Sequence, residues 1–137
     1  LSNMDVPGTD LFITDEVNMP YDWRSPSNEN LWQGVNGFNN PCPAGYRVPT
    51  RTEFRAEITA YSITGPTSAF NSILKIPVAG ERAFDSGMIR GQGQEAWFWT
   101  STADGDDSYD VLIQSGAVYT NVSNGRAGGY SVRCVKN

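Results

Sequence analysis

Histidine is missing from this 137-residue chain, cysteine occurs only twice, and basic residues are outnumbered, with Lys+Arg 10 against Asp+Glu 15. Without histidine there is no imidazole base, no Ser–His or Cys–His nucleophile pair, and little chemistry for a zinc site. A net charge of −5 leaves no basic face to follow a phosphate backbone, so nucleic acid is not an expected partner. No apolar run is long enough to cross a bilayer, so direct membrane insertion is not expected either. Yet 39% hydrophobic and 18% charged residues are too apolar a balance for disorder. Glycine, proline and aromatic residues are abundant instead, with 14 Gly, 8 Pro and 12% aromatics, which suits short strands, many turns and large core side chains. This length suits one domain, residues 1–137, and the composition favours a binding module over an enzyme.

The chain begins Leu1-Ser2-Asn3 with no initiator methionine, signal peptide or lipobox-like cysteine, and is read as a piece cut from a longer protein. Cys42 and Cys134 are 92 positions apart and belong to no CxxC pair, so a metal site is implausible. They are either a disulfide or two unrelated buried thiols. A bridge would add up to roughly 4–5 kcal/mol on the loop-entropy estimate and would place the chain in an oxidising compartment.

Leu11-Phe12-Ile13 reads as a short strand, and a proline-punctuated stretch from Pro20 to Pro26 follows. Residues 33–45 are loop chemistry. Thr50, followed by Glu53, forms a capping box that opens a helix, with Phe54, Ile58 and Tyr61 on one buried stripe. A second helix is expected over 67–74, with Phe70, Ile73 and Leu74 inward. Ile76-Pro77-Val78 reads as an edge or irregular extended piece. Alternating segments at 96–102, 109–113, 118–122 and 130–135, with turns at Asp104-Gly105, Ser115-Gly116 and Asn124-Gly125, predict an antiparallel meander. Helices first and strands second give an α+β chain.

Four local motifs carry less than they suggest. Gly91-Gln92-Gly93-Gln94-Glu95-Ala96 fits GxGxxA, but Trp97-Phe98-Trp99 continues as a strand where a dinucleotide site needs a helix. Asp104, Asp106, Asp107 and Asp110 crowd one segment, and calcium is the one cofactor they admit. EF-hand and RTX spacings are absent, so a solvated acidic turn is the plainer reading. Asn121-Val122-Ser123 is a glycosylation sequon too short to weigh, and Glu53 and Glu57 are structural rather than a catalytic pair.

Longer phrases are more specific. Asp22-Trp23-Arg24-Ser25-Pro26, Asn30-Leu31-Trp32-Gln33-Gly34, the run Asn40 to Thr50 with Glu53 and Phe54, Leu74 to Gly80, Trp99-Thr100-Ser101-Thr102 and Gly129 to Val135 occur in that order. Together, over residues 20–137, they resemble the major paralogous domain of Fibrobacter succinogenes, which recurs in bacterial surface proteins and lipoproteins. The Arg47-Val48-Pro49-Thr50 helix start and the Gly129-Tyr130-Ser131-Val132 ending also resemble the formylglycine-generating-enzyme fold. The resemblance implies a C-type-lectin-like fold: two helices, a small twisted antiparallel sheet and long loops. It further implies that Cys42 and Cys134 pair, that Trp99 and Phe54 are core, and that Arg47 and Arg133 flank the bridge. The enzyme's active cysteine pair has no counterpart, so its activity does not carry over.

The expected function is that of an extracellular, cell-surface module recognising a glycan or a protein, joined to other domains and without enzyme activity. Lectin-like folds bind on the loop-rich side of the C-terminal sheet, which points to Asp106, Asp107, Tyr109, Asp110, Asn121, Asn124 and Arg126 as exposed ligand-binding groups. The sugar–calcium tripeptide motifs of C-type lectins are absent. Two alternatives are a receptor-binding display protein diversified by a retroelement over residues 104–129, and a structural spacer. Trp97 and Trp99 share one strand face and Phe98 and Thr100 the other.

Overall fold

The computed structural model describes every residue except Asn18. In chain order it contains β1 (Tyr46–Arg47), α1 (Arg51–Ala60), α2 (Pro66–Asn71), β2 (Glu81–Arg82), β3 (Ile89–Arg90), β4 (Ala96–Asp104), β5 (Asp107–Gln114), β6 (Ala117–Gly125) and β7 (Val135–Lys136). This is an α+β arrangement of two helices and small antiparallel sheets. Strands β4, β5 and β6 form a meander in sequence order, β1 pairs with β7, and β2 pairs with β3.

The expected helix at Thr50 forms for the expected reason. The Thr50 hydroxyl accepts the Glu53 N–H at 3.3 Å, and the Glu53 carboxylate accepts the Thr50 N–H at 2.8 Å. Phe54 and Ile58 are buried, but Tyr61 is the C-cap and lies 44% exposed, because the helix stops one residue short of it. The second helix is shorter than expected. Pro66 occupies its first turn, where a missing N–H is harmless, and Ser72 turns extended at its end. Ile73 and Leu74 therefore fall outside it. Phe70 and Ile73 are exposed, Leu74 is half-buried, and Ala69 is the residue that faces inward.

Two of the three expected turns join strands. Gly105 (φ 59°) and Gly116 (φ 75°) take the left-handed conformation at the β4–β5 and β5–β6 connections, where a side chain would be strained. Asn124-Gly125 does not turn: it is the last pair of β6 rungs, opposite Ser108 and Asp107. Gly125 is instead a close-approach residue, since a Cβ there would lie 2.5 Å from the Pro20 carbonyl oxygen. Leu11-Phe12-Ile13 forms no strand. Phe12 is held through its ring, which lies under the Arg82 guanidinium at 4.6 Å. Residues 130–135 form no continuous strand either: Ser131 bridges β4 and only Val135 enters β7. Ile76-Pro77-Val78 stays outside the sheets, although Ile76 is fully buried.

Strand β4 is buried on both sides. Phe98 joins Phe54, Ile58, Ile63, Ala69, Ile76, Val111 and Ile113 in an apolar core beneath the helices. Each of the larger side chains among them contributes about 1.5–3 kcal/mol by leaving water. On the opposite face Trp99 is buried and Tyr130 stacks on it at 4.3 Å, with Trp97 at 5.0 Å from the same ring. The Trp99 indole N–H donates to the Gly128 carbonyl at 3.2 Å.

Cys42 and Cys134 are bonded, with their Cα atoms 5.8 Å apart. The bridge sits beside the β1–β7 pair and closes a loop over most of the domain. It is consistent with an oxidising compartment. Arg47 adds a two-point contact to Glu53 at 2.7 and 2.6 Å and reaches Asn137 at 3.1 Å. Of the two arginines expected to flank the bridge, Arg47 is thus fixed on both sides.

Two outcomes follow from this closure. Cys42→Ser or Cys134→Ser is expected to lower stability by about 2–5 kcal/mol in denaturant titration, and alkylation of the unreduced native chain should label no thiol. The Arg47 guanidinium, above all, holds the Glu53 carboxyl down to about 2; burial opposes this and the Thr50 bonds assist it. A lowered carboxyl stabilises the fold above its ordinary value near 4.5 and loses that contribution as pH falls through about 2. Glu53→Gln should therefore flatten the acid limb of a stability–pH profile between those values. The effect is modest, because the Glu53 side chain is 42% exposed and screened by water.

Candidate functional site

The alternation of the meander divides the expected ligand-binding residues between two faces. Tyr109 and Asn121 lie on the α1 side and are both held by Arg51. Its guanidinium covers the Tyr109 ring at 4.3 Å, donates to the Thr120 carbonyl at 2.8 Å and bonds the Asn121 side-chain oxygen. Asp110, Asn124 and Arg126 lie on the other side, among Trp99 and the N-terminal loop. Asp104 and Asp106 are exposed at the β4–β5 turn, where Asp104 accepts the Ser123 hydroxyl at 2.8 Å.

Arg126 was expected to be exposed, and it is not. Its side chain is 11% exposed, and its donors reach Ser108 at 3.2 Å, Asp22 at 3.3 Å, and the Gly105 and Asp107 carbonyls at 2.6 and 2.8 Å. Loop 104–108 and the N-terminal segment converge on this one planar head, and that convergence buries it. Asp110 is likewise fully buried rather than exposed. One oxygen accepts from Asn124 at 2.7 Å, and the other has no partner among the described residues. Burial raises its carboxyl to about 6; the Asn124 bond opposes this and the Glu81 charge adds to it. Burial also raises Asp107, which Arg126 lowers in turn and Asp104 and Asp106 push up again.

Of the aspartates considered for calcium, Asp107 lies half-buried, which raises its carboxyl most, beside Arg126, which lowers it, and Asp104 and Asp106, whose charges raise it. Asp110 points into the protein and Asp104 is occupied by Ser123, while Asp106 lines a separate concavity with Asp15 and Asp22. Among the described residues, no three acidic or cysteine side chains gather as a metal site.

A better-formed hollow lies between the N-terminal loop and the mixed face of the sheet. A cleft of about 70 Å³ is walled by Trp23, Trp32, Trp99 and Leu31, with Glu29, Ser101, Ser108 and Arg126 among its polar groups. Trp23, Trp32 and Arg126 also wall a neighbouring, wider concavity of about 280 Å³. The two tryptophans thus stand between a narrow recess and an open one. Local bonds fix this loop. Gln33 donates to the Ser101 carbonyl at 2.7 Å, and the Trp23 carbonyl accepts the Ser2 N–H at 2.9 Å. Asp5 joins Arg24 at 2.8 Å and Asn28 at 3.0 Å. The Glu29 carboxylate and the Ser101 hydroxyl have no internal partner among the described residues, so both remain available to a ligand.

Trp23, Trp32 and Glu29 were absent from the expected ligand-binding set, although the segments Asp22 to Pro26 and Asn30 to Gly34, which carry the resemblance, contain these tryptophans. The signal was present: two tryptophans nine residues apart in a stretch with neither helical nor strand alternation have no element to bury them. No protein-family model, curated protein or solved structure matches this chain.

Asp110 gives a prediction whose pH dependence is opposite to that of Glu53. Because its folded value is raised, its favourable contribution is complete below the ordinary 3.8 and is lost as pH rises through about 6. Asp110→Asn should increase stability at pH 7 by on the order of 2–3 kcal/mol and leave it unchanged near pH 3.5. Thermal melts of both proteins at the two pH values measure this.

Proposed function

We propose that this chain is an extracellular, cell-surface recognition module of the lectin-like type, related to the Fibrobacter major paralogous domain, and that it binds a glycan. The observation that carries this reading is the tryptophan-walled pair of hollows, with unpaired oxygen acceptors at Glu29 and Ser101. Sugars present apolar C–H faces that stack on indole rings and hydroxyls that donate to fixed oxygens. The wider hollow suits a ring lying against Trp23 and Trp32, and the narrow recess suits one substituent of that ring. Arg126 supports the wall rather than the ligand, since its donors are engaged within the chain. A free carboxylate in the cleft disfavours acidic sugars and suits neutral or amino sugars.

This reading moves the ligand from the 104–110 loop to residues 23–33, with Ser101, Ser108 and Arg126 behind them. Asp106 at the exposed turn remains accessible to a partner, while Tyr109, Asp110, Asn121 and Asn124 have internal contacts. Those contacts also weigh against the display alternative, because diversification over 104–129 would replace residues that hold the sheet and the N-terminal loop together.

Glycan-array binding, followed by titration of the best neutral hit, tests the reading. Trp32→Ala should weaken binding by about tenfold or more, equivalent to about 1.4 kcal/mol, with a small change in melting temperature. Trp99→Ala, which empties a buried stack, should instead destabilise the fold by about 3–5 kcal/mol. Undiminished binding by a folded Trp32→Ala protein would sink the assignment.

A further inference from the structure

Helix α1 and the C-terminal strand enclose a concavity of about 390 Å³ that shares no wall residue with the tryptophan cleft. Its floor is apolar, formed by Phe54, Leu74 and Val135. Charges of opposite sign line it, Glu57 from α1 and Arg133 and Lys136 from the C-terminal segment. Glu53 lies there too, but Arg47 already neutralises it through two bonds. Among the described residues, the Glu57, Arg133 and Lys136 side chains make no hydrogen bond or ion pair. Unpaired charge of both signs over an apolar floor matches a ligand that carries both signs at one end and an apolar body at the other.

We propose that this concavity binds an apolar zwitterion, an α-amino acid with a branched or aromatic side chain. The ligand's carboxylate meets Arg133 and Lys136, its ammonium meets Glu57, and its side chain covers Phe54, Leu74 and Val135. A guanidinium fork suits a planar carboxylate, and the volume is within the range of small-molecule pockets. An all-apolar ligand would leave three charges partly desolvated without partners, which is costly. A simple anion would leave the floor unused.

Amide chemical-shift titration of the intact, oxidised domain tests this with L-leucine and L-phenylalanine as probes. Saturable shifts should map to residues 53–57, 74 and 133–136. 4-Methylpentanoate, lacking the ammonium, and isoamylamine, lacking the carboxylate, should each bind about tenfold more weakly or worse. Glu57→Gln should remove the preference for leucine over 4-methylpentanoate, and Arg133→Gln should reduce the preference for leucine over isoamylamine, which Lys136 then carries alone. Neither side chain has an internal bond, so both variants should keep the parent melting temperature. Absence of saturable shifts at these residues, or equal affinity for leucine and either analogue, would overturn the proposal. Because the two hollows share no residue, this outcome is independent of glycan binding at the tryptophan cleft.

Discussion

The ion pair between Arg126 and Asp22 connects two parts of the chain that no β-ladder joins. Asp22 belongs to an N-terminal stretch whose described residues form no strand longer than an isolated bridge, and Arg126 directly follows the last strand of the meander. Both groups are almost fully withdrawn from water. Removing either partner would strand a buried charge, which costs about 3–5 kcal/mol, although the intact pair contributes far less net. The guanidinium also binds the β4–β5 turn through two carbonyls, so the turn, the sheet face and the loop share one fixed point. Trp23 follows Asp22 in sequence, and the walls of the tryptophan cleft depend on this anchor.

Around that point the sheet separates two kinds of interior. The helix side is apolar and gains its stability from non-directional burial, which tolerates small changes of angle. The other side mixes stacked aromatics, a buried ion pair and the Asp110 carboxylate, so its stability depends on specific partners. A half-satisfied carboxylate in mid-sheet opposes folding at neutral pH. The proposed glycan site is on this polar, partner-dependent side, where geometry is fixed by directional bonds.

The chain ends are closed by a third device. The disulfide, the β1–β7 pair and the Arg47–Glu53 contact join the segment before α1 to the C-terminus. One carboxylate, Glu53, caps the helix and pairs with Arg47. The charge in the first turn of α1 is thereby neutralised internally, and Glu57 one turn later lines the same concavity as Arg133 and Lys136.

The amino-acid sequence determined those features that depend on near neighbours. The Thr50 capping box, the glycine turns at 105 and 116, the α+β order and the three long strands are local chemistry, set by hydrogen bonds and backbone preferences within a few residues. The resemblance also implied the Cys42–Cys134 pairing. Tertiary structure decided what distant segments do to one another. Asn124-Gly125 has the composition of a turn, but the close approach of Pro20 makes Gly125 the end of a strand. Ile73 looked inward only on a helix running to residue 74, and Ser72 ends it early, while Phe70 stays on the helix but on its exposed side. Arg126 and Asp110 read as surface groups because local polarity does not reveal what will fold over it. Trp23 and Trp32 share a cleft with Trp99 because a buried guanidinium draws residues 20–33 onto the sheet. Such a pairing spans about a hundred residues, beyond the reach of any periodicity.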